Sequence, residues 1–267
     1  MFFRGDLSSA KTAFRNSENK KEEAMGVSDI AKNILDLIFV PKCAACGVAV
    51  ESSDVSLCDE CEHVNSLESK GFCTDCSMPY TFCRCHVHYG DLSFKMFRVT
   101  GYKTNEGSVA KQMVLGLKDN IHRAAIERMT SEMVRVLKRR APEVFEYPQN
   151  AVIVFIPRSD KARRDAGHDQ SFLLAERISE KTGIELADVF ISRGKRAQKT
   201  LNKEQRMMNA ELNYDLLDGL YDFVGKTAII VDDIITSGSS VGVCGGMLIG
   251  AGAENVISLV YAKTERY

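Results

Sequence analysis

The stretch from Ala228 to Ser240 constrains the fold of this chain more than any other part of its sequence. It reads AIIVDDIITSGSS, so four apolar residues lead into two adjacent acids and then into small hydroxyl residues around Gly238. A short apolar run of this kind is typical of a buried strand, and the small and apolar residues 241–249 predict a helix. The segment therefore predicts a strand–loop–helix unit.

Other apolar runs repeat this pattern along the second half of the chain. The predicted strands are Ala151–Ile156, which ends at Pro157, then Ala187–Ile191, Thr227–Val231 and Asn255–Ala262. The predicted helices are Gly107–Asp119, Ile121–Arg140 and Gln170–Lys181, the last closed by Gly183. Because strands alternate with helices, we expect an α/β fold with a mainly parallel sheet covered by helices on both faces.

The chain of 267 residues is long enough for one large domain and a small appendage. Residues 1–28 are polar, and we expect them to be disordered. A predicted helix, Asp29–Phe39, and a cysteine-rich segment make up a module over residues 29–90, and residues 94–267 form the main domain. Met25 stands just before this helix, so translation starts at either Met1 or Met25.

Composition excludes several classes of protein. The net charge is −1, which gives no global basic field for nucleic-acid binding, and no apolar run is long enough for a membrane span. The first residues lack the apolar core of a secretory signal. We therefore expect a cytoplasmic protein without membrane insertion.

The loop after the acid pair has the chemistry of a phosphate site. A helix N-terminus and backbone N–H groups attract anions, and hydroxyl donors come from Thr236, Ser237, Ser239 and Ser240. Gly238 lets the backbone approach a phosphate closely. Asp232 and Asp233 would repel a phosphate, so ribose hydroxyls are their natural partners. A sugar with a 5-phosphate and free 2- and 3-hydroxyls fits this arrangement, whereas the Walker and dinucleotide-binding glycine patterns are absent.

Eight of the nine cysteines lie in a short segment and come in close pairs, which suits metal binding in a reducing compartment. Such pairs point two sulfurs at one centre and predict closed, structural zinc sites. The eight predicted ligands are Cys43, Cys46, Cys58, Cys61, Cys73, Cys76, Cys83 and Cys85.

The spacing leaves three questions about these ligands open. The pairs can combine consecutively or interleave. His86 or His88 can replace one thiolate near Cys83-x-Cys85, where the spacing is shorter. An iron–sulfur cluster is a weaker alternative to zinc.

Two basic segments follow predicted strands, where ligands bind in α/β sheets. Pro157–Arg164 carries Arg158 and three further basic residues and suits a pyrophosphate. The second segment, Arg193–Arg206, holds six basic residues and one acid. Such a flap can close over an anionic ligand, or it can contact a nucleic-acid backbone.

The stretch around Asp232 resembles the motif with which type I phosphoribosyltransferases bind phosphoribosyl pyrophosphate (PRPP). The wider pattern, from about Asn33 to Ala262, resembles the ComF family. The resemblance rests on Leu35–Cys46, Tyr102, Lys118, Ile156-Pro157, Gly167–Gln170, Arg193, Gln198, Leu201, Arg206 and Asn209. The family typically has Arg-Gly-Phe-Asn-Gln where this chain has Ala166 to Gln170, so the arginine is missing.

The resemblance implies a phosphoribosyltransferase fold with a small N-terminal zinc-ribbon module and a reaction on PRPP bound with Mg²⁺. By this resemblance Asp232 and Asp233 are catalytic residues that contact the ribose and the metal-linked groups. Residues 236–240 bind the 5-phosphate. The resemblance also implies that Arg158 contacts the pyrophosphate. Arg193 and Arg206, in the segment that resembles the family's flexible hood, would contact it as well.

The resemblance also implies a link to competence and DNA uptake in bacteria, and it leaves two functions in competition. The chain transfers phosphoribosyl to an unknown acceptor, or it is a non-catalytic PRPP sensor or single-stranded-DNA-handling protein. DNA-uptake or helicase proteins are partners in that case, and a homodimer is a further expectation. Thr236 stands where purine-salvage relatives often have an acid, and no N-terminal cysteine nucleophile is evident.

Overall fold

The computed structural model describes residue 36 and residues 40–103, 107–119, 122–159, 163–164, 167–193, 203–217 and 219–265. The chain divides into two compact units, Met1–Val40 and Pro41–Tyr267. Asp36 is helical, and the rest of the predicted helix Asp29–Phe39 and all of residues 1–28 lie outside the described residues. Every element below belongs to the second unit.

The described strands form one six-stranded sheet and one two-stranded antiparallel sheet. The strands are β1 His86–Tyr89, β2 Leu92–Tyr102, β3 Ala151–Phe155, β4 Glu185–Leu186, β5 Phe190–Ser192, β6 Tyr214–Leu216, β7 Thr227–Ile235 and β8 Asn255–Thr264. In the large sheet the order is β1-β2-β8-β7-β3-β4, and β5 pairs with β6. All neighbours in the large sheet are parallel except β1 and β2. The predicted mainly parallel sheet is confirmed.

Helices cover both faces of this sheet. They are α1 Asp59–Ser69, α2 Val109–Asp119, α3 Arg123–Arg140, α4 Glu143–Glu146, α5 Gln170–Thr182, α6 Lys203–Asn213 and α7 Ser239–Gly250. Alternate strand residues point to opposite faces: Ile229 and Val231 of β7 pack in the core with α2, α3 and α5, whereas Ala228 and Ile230 pack in the core with α7. None of the helices in the described part of the chain is long and apolar enough to cross a membrane.

Two sequence predictions need correction. Of the strand predicted over Ala187–Ile191, only Phe190 and Ile191 lie in a strand, because β4 ends at Leu186 and β5 begins at Phe190 in a different sheet. β7 extends to Ile235, so Asp232 and Asp233 lie inside the strand and not after it. The predicted strands over 151–156 and 255–262 and the predicted helix over Gln170–Lys181 are confirmed within one or two residues.

The cysteine-rich segment packs directly against the large sheet. The ring of Tyr80, which is 3% exposed, lies against two glycines, Gly71 in that segment and Gly101 in β2. A Cβ at Gly101 would lie 2.5 Å from the Tyr80 hydroxyl oxygen. This close approach makes the cysteine-rich segment and β2 parts of one packed body.

Candidate functional site

The carboxyl ends of β3 and β7 enclose the candidate site. These strands are neighbours, but β3 connects through α5 to β4 on one side, and β7 connects through α7 to β8 on the other. Ligands bind at such a switch point in open α/β sheets. β3 pairs with β7 only as far as Val231, whereas β7 and β8 stay paired to Ile235. The β3 ladder therefore ends one residue before Asp232, and we place the candidate crevice between the ends of the two strands beyond this point.

The hydroxyl loop, residues 236–240, follows the end of β7 and leads into α7. Gly238 has a φ of 80°, a conformation that favours glycine, and a Cβ there would lie 3.2 Å from Val87. The hydroxyls of Ser237 and Ser239 are 2.9 Å apart, and Ser239 N donates to Ser237 Oγ at 3.4 Å. Because α7 begins at Ser239, the loop brings hydroxyls, backbone N–H groups and the positive end of a helix dipole together.

The acid pair is held by donors on both sides. Asp232 Oδ1 accepts a hydrogen bond from Ser171 Oγ at 2.8 Å and another from Asp233 N at 2.9 Å. Asp233 Oδ1 accepts from Ile234 N at 2.6 Å. Burial, and then the adjacent Asp233, raise the pKa of Asp232 well above its usual value. Burial thus disfavours the charged form of Asp232, and a partner that donates hydrogen bonds to this form, as a ribose hydroxyl does, would stabilise it.

Arg158 lies in the segment that follows the end of β3 at Phe155. Its backbone N donates to Asp169 Oδ2 at 2.7 Å. Its guanidinium nitrogen Nη1 is buried, and no hydrogen-bond partner for it exists among the described residues. A buried donor without a partner costs free energy, so an anion at this position would satisfy it.

The other predicted basic residues are distributed unevenly. Arg163 and Arg164 are exposed, and Lys161 lies outside the described residues. The side chain of Arg193 forms an ion pair with Asp215, and its backbone N donates to Asn213 O at 2.7 Å. Arg206 is exposed on α6, a helix that the flap prediction did not include. Gln198 and Leu201 fall in 194–202, outside the described residues.

Two residues that the sequence analysis did not single out border the acid pair. Ser171 donates to Asp232 as described above, although it reads as an ordinary first-turn helix residue. Tyr214 lies on β6 beside Ser240, and burial raises its pKa to about 12 despite a hydrogen bond with that serine. An aromatic residue after a basic flap is the only signal that the sequence offers for Tyr214.

The segment His168–Gln170 has a structural role. The Nε2 atom of His168 lies 2.5 Å from Leu117 O, and Gln170 Nε2 donates to the same oxygen at 3.1 Å. Asp169 caps α5 by accepting from Ser171 N and Phe172 N. These contacts fix the start of α5 against the end of α2.

The eight cysteines form two groups of four. One group is Cys43, Cys46, Cys58 and Cys61, and the other is Cys73, Cys76, Cys83 and Cys85, so the pairs combine consecutively. In each group all the sulfur atoms lie within 4.8 Å of one another. Neither His86 nor His88 belongs to a group.

Both groups fit a tetrahedral metal ion. Sulfur–sulfur distances are 3.6 Å for Cys46–Cys58, 3.6 Å for Cys73–Cys85 and 3.7 Å for Cys76–Cys83. Zinc–sulfur bonds of about 2.3 Å require sulfurs about 3.8 Å apart in a tetrahedron. Burial raises the pKa of Cys76, but backbone donors, led by the N–H of Arg84, outweigh it and bring the pKa to about 6. Burial raises the pKa of Cys83 in the same group, so the sulfur geometry, and not the thiol pKa values, indicates the metal site.

Residues 168–266 match the family model of the phosphoribosyl transferase domain. This match spans the acid pair, the hydroxyl loop, α7 and β8. A purine phosphoribosyltransferase from Pyrococcus horikoshii Ot3 has a solved structure similar to this chain, with 17% identity over 52% of this chain and 91% of that one and a TM-score of 0.29. No curated protein matches the chain.

Proposed function

We propose that this chain binds PRPP with Mg²⁺ in the crevice between β3 and β7 and transfers its phosphoribosyl group to an acceptor. The observation that carries the proposal is the acid pair in the last part of β7, followed after Ile234 and Ile235 by the hydroxyl loop and the start of α7. The match of residues 168–266 to the phosphoribosyl transferase domain supports it. The ComF resemblance of the wider pattern supports assignment to that family and a cytoplasmic link to competence and DNA uptake.

Each group in the crevice has a part in holding PRPP under this proposal. The ribose hydroxyls donate to Asp232 and Asp233, and the 5-phosphate accepts from Thr236, Ser237, Ser239 and Ser240 around Gly238. The buried Nη1 of Arg158 donates to the pyrophosphate. Mg²⁺, when bound with PRPP, neutralises charge on the pyrophosphate oxygens.

The reaction exchanges one bond at the anomeric carbon. The bond from this carbon to the pyrophosphate oxygen breaks, and its electron pair leaves with pyrophosphate. A new bond forms from the same carbon to a nucleophilic atom of the acceptor, which loses its proton. The protein contributes by orienting the ribose and by stabilising the leaving pyrophosphate. Arg193 and Arg206, at or near the two ends of the flap, are proposed to add positive charge when the flap closes.

We also propose that both cysteine groups hold structural zinc. Four thiolates close the coordination sphere and leave no position for a substrate, so zinc would stabilise the fold and take no part in the transfer. We propose further that residues 29–90 form a zinc-binding module, that residues 94–267 form the phosphoribosyltransferase domain, and that the protein forms a homodimer.

Calorimetric titration with PRPP and Mg²⁺ tests the binding site. Wild type should bind PRPP, and Asp232→Asn/Asp233→Asn should lose binding because the amides accept ribose hydroxyls less well and keep no charge. Asp222→Asn, a change to an exposed acid in a loop, is the matched control and should bind as wild type does. No binding by folded wild type would overturn the proposal.

Release of pyrophosphate separates transfer from sensing. If PRPP binds but is not consumed with any nucleobase, amine or single-stranded DNA acceptor offered, the non-catalytic alternative replaces the transfer reaction. The cysteine-rich segment has few basic residues between Pro41 and Cys85, namely Lys42, Lys70 and Arg84, which disfavours it as a surface for tracking phosphates of DNA.

A further inference from the structure

The hydroxyl of Ser171 connects two parts of the chain that are far apart in sequence. Ser171 is 3% exposed and lies in the first turn of α5, and its Oγ donates at 2.8 Å to Asp232 Oδ1, 61 residues away. A serine at a helix start commonly bonds to its own backbone. Here the capping is done by Asp169 instead, which leaves the Ser171 hydroxyl for the acid pair.

The two donors on Asp232 act on the same oxygen. Ser171 Oγ and Asp233 N both donate to Oδ1, whereas Oδ2 accepts no hydrogen bond from the described residues. A carboxylate held by two donors on one oxygen has a fixed rotation about its side-chain bonds. Its second oxygen is then oriented before any ligand arrives.

The same helix turn is tied to the other side of the crevice. Asp169 accepts from the backbone N of Arg158 through Oδ2, while its Oδ1 caps α5. The start of α5 therefore holds the segment after β3 through Asp169 and the acid pair of β7 through Ser171. Both sides of the crevice are positioned against one rigid helix end.

We propose that Ser171 is a positioning residue that presents Asp232 Oδ2 to the ribose hydroxyls of PRPP. This inference rests on the proposed function. It predicts an effect on ligand selectivity that a structural role alone would not produce. Loss of the Ser171 hydroxyl should weaken the binding of ligands that contain ribose and leave the binding of other ligands unchanged. Pyrophosphate contacts, which lie on the Arg158 side, should be unaffected.

The test compares three ligands by calorimetric titration in the presence of Mg²⁺: PRPP, ribose 5-phosphate and inorganic pyrophosphate. Ser171→Ala should weaken PRPP and ribose 5-phosphate by about tenfold, in the range of a lost hydrogen bond to a charged group. Pyrophosphate affinity should stay at the wild-type value. Ser179→Ala is the matched control, because Ser179 lies on the same helix and donates to Ile184 O at 2.6 Å, and all three affinities should be unchanged.

A second variant and a double-mutant cycle protect the test against a folding defect. Ser171→Cys keeps the shape of the side chain with a somewhat larger atom and a weaker donor, so it should give a smaller loss with the same selectivity. In an Asp232→Asn background, ribose 5-phosphate is already bound weakly, and adding Ser171→Ala should cost less than it does in wild type.

The outcomes separate the two claims. Equal affinities of wild type and both Ser171 variants for all ligands, or an equal loss for pyrophosphate, would overturn the positioning role while leaving the PRPP site intact. Failure of wild type to bind PRPP would overturn the proposed function itself and this inference with it.

Discussion

Arg98 and Glu265 form a fully buried ion pair, with both side chains at 0% exposure. The Arg98 guanidinium also stacks on Tyr80, 4.4 Å from the ring centroid, and Glu265 Oε2 accepts from Thr74 N and Thr74 Oγ1. Thr74 follows Cys73 of the second cysteine group. The pair thus joins β2, the end of β8 and the second cysteine group at a single buried point.

Removal of one partner of this pair should be severe. Glu265→Ala leaves the Arg98 charge buried without a counter-charge and should lower the free energy of unfolding by about 3–5 kcal/mol. Urea denaturation followed by circular dichroism measures this loss. Replacement of both residues, as Arg98→Met/Glu265→Leu, should cost much less, and a double variant as unstable as Glu265→Ala would contradict the account.

Metal removal should destabilise the sheet as well as the cysteine-rich segment, because Thr74 and Tyr80 bind that segment to β2 and β8. A zinc chelator is expected to lower the melting temperature of the whole protein. Cys73→Ser should reduce bound zinc from two ions to about one per chain, since four thiolates make each structural site. Cys244→Ala is the control, since Cys244 is buried in α7 outside both groups. Full zinc content in Cys73→Ser would contradict the assignment.

Helix α7 should tolerate a methyl group at one glycine and not at another. A Cβ at Gly245 would lie 2.6 Å from the buried ring of Phe94, whereas a Cβ at Gly250 would meet nothing within 4 Å. Gly245→Ala should therefore destabilise the protein by about 1–3 kcal/mol through overpacking, offset in part by about 1 kcal/mol of helix propensity. Gly250→Ala should be neutral or slightly stabilising. Equal stabilities in thermal denaturation would be inconsistent with this packing.

The contact between α3 and α5 should depend on pH. Hydrogen bonds from Lys181, and then from Arg177, lower the pKa of Glu127. A lowered carboxyl pKa stabilises the fold above the unfolded pKa, and this contribution is lost as pH falls through the folded pKa. Glu127→Gln should be less stable than wild type at pH 7 by about 0.5 kcal/mol, a small value because Glu127 is half exposed. The difference should vanish below the folded pKa.

Urea denaturation at pH 7 and near pH 3 measures this pH effect. Glu176→Gln, a change to an exposed acid on α5, provides the control and should match wild type at both values. A stability difference for Glu127→Gln that persists unchanged at low pH would show that Glu127 acts through packing and not through its charge.

The sequence predicted those parts of the structure that depend on local patterns. The buried run of β7 that leads to Asp232, the helix ended by Gly183 and the close cysteine pairs all have signals within a few residues, and the structure contains them. β2 was not predicted, because Lys95 and Arg98 interrupt its apolar pattern. Arg98 is buried only because Glu265, at the far end of the chain, neutralises it.

The candidate site divides in the same way. The acid pair and the hydroxyl loop lie within residues 232–240, so their chemistry was visible in the sequence. Ser171 was not singled out, since its role depends on a hydrogen bond that spans 61 residues. The partnership of Arg193 with Asp215 also depends on β5 and β6 forming a hairpin around α6, which no local pattern indicated.

Hydrogen-exchange mass spectrometry of wild type with and without PRPP and Mg²⁺ tests the central claim most directly. The account predicts slower exchange in residues 232–242 and in the segment around Arg158, and no such protection in Asp232→Asn/Asp233→Asn. Binding of PRPP that leaves exchange in 232–242 unchanged, or that protects only the cysteine-rich segment, would contradict the assignment of the PRPP site to this crevice.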